Sequence, residues 1–434
     1  MPLQAAGTER KATVNRQEIH TLMERIHAWE PSIMAWAHID AAAALQARDW
    51  HMPGTMQDLP LQGIPFGVKD VIDVAGLPTR YGSDAFPDAG PAAQDAAIVA
   101  LLRRAGAIPI GKTRSTEFAF VDPTVTRNPF DPRHSPGGSS SGSGAVVGAG
   151  LVPFALGTQT AGSLCRPAVY CGATAYKPSL HSLPNQGMAP LSPAFDTIGV
   201  IAASMPWLQR VFAVLANGFS LPPAPYAIAA RKLKIGLLIS PEQSPGDDMR
   251  QMMQTTIGLL RAAGHSVDES ITPVSFAAII AQHRIVMLAE AAEHVGAKTQ
   301  GREALLKPLL RAALQEGRKI SAMQKADALA WLAESRADFW RKLADYDLLL
   351  AYPVPDAAPL GLGSTGDQSY LTPWTALGGP LVSLPAGQNA YGLPLGILLA
   401  SPHGTDAALM QAAAFIADIL PPPITARLAA TADR

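Results

Sequence analysis

The sequence predicts an α/β fold, a mixed β-sheet interleaved with helices and carrying a largely helical subregion near residues 275–345. Three observations carry that expectation. Apolar runs of strand length recur, as in AIPIGKT (107–113), LKIGLLI (233–239), DLLLAYPV (347–354), PLVSLPAG (380–387) and LPLGILLA (393–400). Stretches with helical spacing of apolar residues alternate with these runs, and helix alternating with short strand builds sheets covered by helices. The composition is 48% hydrophobic and 16% charged over 434 residues, enough apolar material for a large core.

Taken in chain order, residues 15–50 read as helix, with Leu22, Ile26, Trp29 and Met34 on one stripe and an alanine-rich run at Ala41–Ala47. Ile64–Val74 reads as strand, closed by Gly76 and Pro78. Residues 95–105 read as helix, with Asp95 near the N-cap and Gly106 as the stop. AIPIGKT then reads as a buried strand. A serine- and glycine-rich run, Pro136–Gly150, leads into the apolar LVPFAL. A second α/β unit pairs the strand at 233–239 with an amphipathic helix around 247–264. The tail returns to strand signals and ends in a helix near 405–419. Neither an internal repeat nor a long linker is visible, so the chain reads as one domain over 1–434.

Bulk properties exclude several function classes. Lys and Arg number 34 against 35 Asp and Glu, a net charge of −1. That balance does not suit a nucleic-acid or anionic-membrane partner. The two cysteines, Cys165 and Cys171, are too few for a disulfide framework and lie in no zinc-spaced cluster. They read as small half-buried thiols in a reducing compartment. The N-terminus has no apolar signal core, and no window holds a membrane-length apolar run. The expectation is a soluble, cytoplasmic protein.

Two motif matches fail on context. GAIPIGKT (106–113) fits the phosphate-loop pattern, but such a loop follows a strand and opens a helix. Here the order is reversed, and Lys112 reads as a strand-end residue. GSSSG (138–142) fits the nucleophile-elbow pattern, which needs a strand directly before it. The preceding DPRHSPG is turn chemistry. A flexible linker is also a poor description of the serine-rich run, because it passes straight into apolar sequence that must be buried. Its hydroxyls, carried inside, need partners and could bond to each other.

PGGSSSGSGAVVGAG (136–150), followed by LGTQTAGSLCRPAVYCG (156–172), resembles the signature of the amidase-signature family. GIPFGVKD (63–70), NPFDP (128–132), FDTIG (195–199) and GGPLVSLPAGQNAYGLPLGILLA (378–400) resemble its recurring segments. The similarity runs over about residues 60–210 and 345–420, whereas the helical region 275–345 follows no general family pattern. The resemblance implies a single domain built on a large mixed, twisted β-sheet with helices on both faces. It also implies hydrolysis of an amide C–N bond with no metal or cofactor.

Residue by residue, Lys69 in GVKD matches the family's catalytic lysine. Ser139, the first serine after the glycine pair, matches its bridging serine. Ser163 in TAGS, 24 residues further on, matches its nucleophile. Thr160, Ala161, Gly162 and Ser163 match the turn that forms the oxyanion hole. The resemblance also implies a cis peptide at Gly138–Ser139. These residue types suit the chemistry. A serine attacks only when a base takes its proton, and a lysine is that base only when neutral. Lys69 is therefore expected to be buried, with its pKa depressed. Asp70 and Asp196 read as structural.

Three positions depart from the common pattern. Gln159 stands where an acid is frequent and Ala161 where a second glycine is frequent. Arg166 is the third residue after the nucleophile rather than the second, as in the malonamidase type, whose arginine grips a substrate carboxylate. Two readings of Arg166 stand: a carboxylate clamp, which suits a planar fork of donors, or a structural arginine paired with an acid. Arg80 in LPTRYGS is a weaker candidate for the clamp beside a plain solvated loop arginine. The expected substrate is a small, carboxylated amide, and the resemblance admits a homodimer. Two other classes stay open: a glutaminase-like subunit of a tRNA-dependent amidotransferase, and a catalytically silent binding protein.

Overall fold

The computed structural model describes residues 16–40, 59–224, 232–269, 271 and 275–427. Its strands form one eleven-stranded mixed sheet in the order β1-β3-β2-β4-β6-β5-β10-β11-β9-β7-β8. They are β1 Trp36–Ile39, β2 Pro65–Lys69, β3 Ile108–Thr113, β4 Phe154–Gln159, β5 Thr174–Lys177, β6 Thr197–Ala202, β7 Lys234–Leu237, β8 Ser266–Asp268, β9 Leu348–Ala351, β10 Leu381–Gln388 and β11 Pro394–Ala400. β3, β2 and β4 run parallel, as do β9, β7 and β8. The central strands from β4 to β9 pair antiparallel.

Alternating side chains feed two separate cores, one on each face. On β6, Ile198, Val200 and Ala202 enter the larger cluster while Ile201 enters the smaller one. This is the period-2 consequence of a pleated strand buried on both sides. The larger cluster takes the helices Ala97–Arg104, Met205–Gly218, Asp247–Ala262 and Asp406–Ile419. The smaller takes the helix Arg16–Ile33 and the short helix Ser141–Gly148. The expected helical region comprises the helices Ala277–Lys298, Pro308–Gly317 and Ala322–Lys342. Among the described residues no helix is long and apolar enough to cross a membrane.

Several expectations need correction. The N-terminal helix stops at Ile33, and residues 36–39 form strand β1 against β3. Glu30 causes the break: its carboxylate accepts the Ala35 and Trp36 amides, which a continuing helix would have used, and Met34 turns with φ 49°. The alanine-rich run 41–47 lies outside the described residues. The strand expected over 64–74 ends at Lys69, where the Val71 and Ile72 amides fold back onto the Lys69 carbonyl. Asp95 does not cap the helix Ala97–Arg104. It accepts the Ala75 amide instead and pairs with Arg103 at 2.9 Å.

Within the Gly106–Thr113 segment, Ile108–Thr113 is strand β3. Gly111 faces β1 so closely that a Cβ there would sit 2.3 Å from the His38 carbonyl oxygen, so this glycine serves sheet packing. Both cysteines are fully buried rather than half-buried, because Cys165 opens the buried helix Cys165–Tyr170 and Cys171 follows it. Burial pushes the Cys165 thiol up to about 12 and the Cys171 thiol higher still.

Candidate active site

Lys69 ends β2, and two loops face it. The first is the turn before the helix Ser141–Gly148, where the Gly138–Ser139 peptide is cis. The second is the turn between β4 and the helix Cys165–Tyr170, which carries Thr160, Ala161, Gly162 and Ser163. The neighbouring strands bring these loops together: Val68 on β2 lies opposite Leu156 on β4, so the ends of both strands meet. The Ser140 amide donates to the Ser163 carbonyl at 3.1 Å and joins the loops.

The Lys69 amine is fully buried. Its Nζ lies 2.6 Å from Ser139 Oγ and 2.7 Å from Thr158 Oγ1. Thr158 is a residue that the motif reading missed. It lies near the end of β4, next to the strand end that carries Lys69, and its hydroxyl accepts from the Lys69 amine. Burial drives the Lys69 pKa well below the ordinary lysine value, and the charge of Asp196 opposes that shift only in part. Ser139 and Ser163 are both buried; their hydroxyls share no direct hydrogen bond, and the Ser140 amide on the Ser163 carbonyl joins their loops.

The serine-rich run satisfies its hydroxyls differently from the expectation. Ser140 Oγ donates to the Thr158 carbonyl and accepts its amide, Ser141 Oγ donates to the Gly137 carbonyl, and Ser143 Oγ donates to the Leu156 carbonyl. Ser140 and Ser143 stitch the turn to β4 and Ser141 closes the turn on itself, rather than the serines bonding each other. Carbonyls of neighbouring backbone lie closer to a helix N-terminus than the diverging serine side chains do.

Carbonyls of the turn 160–163 are all taken. His283 Nε2 meets the Thr160 carbonyl at 2.8 Å, Thr375 Oγ1 donates to the Ala161 carbonyl, the Arg166 amide donates to the Gly162 carbonyl at 3.1 Å, and Ser140 holds the Ser163 carbonyl. Among the described residues, the amides of Ala161, Gly162 and Ser163 donate to no protein acceptor. Asp196 braces the turn from behind. One carboxylate oxygen accepts the Thr160 hydroxyl at 2.5 Å and the other accepts the Leu191 and Ser192 amides. Gln159 uses its side-chain carbonyl to accept the Leu164 and Cys165 amides, work that an acid in its place could also do.

The two candidate arginines separate. Arg166 is buried. Its Nη2 donates to the Gly138 carbonyl at 2.6 Å and reaches Thr365 Oγ1 at 3.4 Å. Among the described residues no carboxylate lies within ion-pair distance of it, and its Nε and Nη1 have no partner. Nη1 lies 3.3 Å from where a Cβ on Gly162 would sit, so the guanidinium rests against the Ser163 turn. Arg80 is exposed. Only its backbone is engaged, its amide donating to Asp70. Asp70 is structural: it pairs with Lys112 at 3.4 Å and accepts the Arg80 and Gly82 amides.

A fold and site of this kind define an amide hydrolase, and comparison with known proteins agrees. The family profile described as Amidase matches residues 17–410. The chain belongs to the amidase family and is an amide-cleaving hydrolase. It is similar to mandelamide hydrolase of Pseudomonas putida, at 30% identity over 95% of this chain and 91% of that one. It is 37% identical to a glutamyl-tRNA(Gln) amidotransferase subunit from Roseiflexus castenholzii, but over 58% of this chain and 55% of that one. Among solved structures it resembles the peptide amidase of Stenotrophomonas maltophilia, at 25% identity and a TM-score of 0.78 over 95% of each chain.

Proposed function

We propose that the chain hydrolyses a small carboxylated amide through an acyl-enzyme on Ser163. The carrying observation is the buried amine of Lys69 held 2.6 Å from Ser139 Oγ beside the Ser163 turn. Lys69, neutral through burial, accepts a proton from Ser139 as Ser139 takes the proton of Ser163. Ser163 Oγ forms a bond to the substrate carbonyl carbon, and the oxyanion accepts from the amides of Ala161, Gly162 and Ser163. Each such donor contributes about 3 kcal/mol to the transition state. The C–N bond then breaks, and the leaving nitrogen takes its proton back through Ser139. Water repeats the attack on the ester and releases a carboxylate. The eleven strands in a single sheet support treating the chain as one domain.

Arg166 supports the carboxylate half of the reading, because a buried guanidinium with two unpartnered donor nitrogens against the Ser163 turn suits an anionic group. Arg80, exposed and engaged only through its backbone, takes no share in this reading. The match to the amidotransferase component covers little more than half of each chain, whereas the hydrolase match spans nearly all of both, which favours free hydrolysis.

A fluorophosphonate probe is expected to label Ser163, and Ser163→Ala to abolish labelling and lower kcat about 10³–10⁶-fold. Near-wild-type ammonia release by that variant would sink the mechanism. Arg166→Ala is expected to lower kcat/KM for a carboxylated amide at least tenfold more than for its neutral analogue. Equal losses would remove the carboxylate from the reading.

A further inference from the structure

We propose that His283 is a positioning residue for amide hydrolysis, aiming the oxyanion-binding amide of Ala161 from outside the signature segments by holding the Thr160 carbonyl. The inference rests on reading the 160–163 turn as the oxyanion hole. A peptide unit is planar and trans, so its C=O and N–H point in opposite directions. The Thr160 carbonyl and the Ala161 N–H belong to one such unit. Whatever holds that carbonyl therefore sets the direction of that amide.

His283 lies on the helix Ala277–Lys298, fully buried, with Nε2 2.8 Å from the Thr160 oxygen. A carbonyl only accepts, so Nε2 carries the proton. Burial lowers the imidazole to about 4, so at neutral pH the ring is uncharged with its proton on Nε2. The ring stacks on Phe195 with centroids 4.2 Å apart. Phe195 precedes Asp196, whose carboxylate holds the Thr160 hydroxyl. The side chain and the carbonyl of Thr160 are thus gripped by adjacent partners.

Glu290, two turns further along the same helix face, adds a second tether. It accepts the Ser192 hydroxyl at 2.6 Å and the Ala194 amide at 3.0 Å. The Ser192–Asp196 loop is therefore clamped between the helix and the turn. Residues with a 123-residue separation meet at the Thr160 carbonyl, and the helix belongs to the region where family patterns are silent. Reshaping that region for a new substrate would leave this contact to be kept or replaced.

The test compares His283→Leu, which keeps volume and loses the donor, with His283→Gln, whose amide nitrogen can reach the same carbonyl. His283→Leu is expected to lower kcat about 10–100-fold with KM within about threefold, and to slow fluorophosphonate labelling of Ser163 by a similar factor. His283→Gln is expected to restore kcat to within about fivefold of wild type. Circular dichroism and thermal melts establish that both variants are folded at the assay temperature, and Gln covers the case in which Leu does not fold. Wild-type kcat in folded His283→Leu would overturn the proposal, and so would a His283→Gln variant as impaired as Leu. Failure of the underlying site reading shows separately, in wild-type protein, as probe labelling at a residue other than Ser163.

Discussion

Lys69 and Lys112 sit on adjacent parallel strands, one register step apart, and neither is exposed to solvent. Their surroundings differ chiefly in one carboxylate. Lys112 Nζ has the Asp70 carboxylate at 3.4 Å, with Thr79 Oγ1 at 2.7 Å. Among the described residues, Lys69 Nζ has only the hydroxyls of Ser139 and Thr158 within bonding distance. Burial lowers both amines; Asp70 and Asp73 counteract the effect on Lys112, whereas Asp196 alone opposes it at Lys69, which is held well below the ordinary lysine value. The same residue type, equally buried on neighbouring strands, is thus an ion-pair partner in one place and an amine held between two hydroxyls in the other. Hydroxyls solvate an amine without obliging it to stay charged, whereas a carboxylate does oblige it.

Replacing the base should give the largest effect. Lys69→Met is expected to lower kcat about 10³–10⁵-fold while the protein stays folded, because no buried carboxylate is left without its pair. In wild type, kcat/KM should fall as pH drops through the depressed Lys69 value, since protonation removes the base, and this limb should vanish from the residual activity of Lys69→Met. A limb that persists unchanged would assign the titration to another group.

The converse substitution should move stability rather than rate. Lys112→Met leaves Asp70 buried and uncompensated, which costs about 3–5 kcal/mol. Urea unfolding should report that loss while kcat stays within about threefold for the folded fraction. If kcat collapsed in a fully folded Lys112→Met protein, the division between the two lysines would not stand. The smallest effect is expected from Thr158→Val, which keeps shape and removes one of the two hydroxyls on Lys69. A kcat loss of about 5–20-fold, with KM unchanged, would show that Thr158 helps to place the amine.

The residues of this comparison are unequally legible in the sequence. Lys69, Ser139 and Ser163 lie in dense local motifs, so short stretches of sequence point to each of them. The parallel strands are visible as apolar runs for the same reason. Thr158 is two residues from a recognised turn, but its contact with Lys69 depends on how the ends of two strands meet, which the sequence does not record. His283 and Thr375 are not legible, because each reaches the turn across more than a hundred residues of chain and neither sits in a motif. Lys112 falls on its strand as expected, but its partner Asp70 is 42 positions away in the sequence, just past the end of the neighbouring strand. β1 reads as helix because the signal against it comes from one glutamate side chain bonding to backbone amides, which apolar spacing does not record.

The bond from Thr375 to the Ala161 carbonyl spans 214 residues, and the one from His283 spans 123. During synthesis the three motif residues Lys69, Ser139 and Ser163 leave the ribosome long before either brace exists. Contacts of such sequence separation form late, since chain closure must come first. A nascent chain ending near residue 210 would carry Lys69, Ser139 and Ser163 and still lack the two braces on the turn. Hydrolytic competence would therefore arrive only with the C-terminal third, sparing the cell an active half-made enzyme.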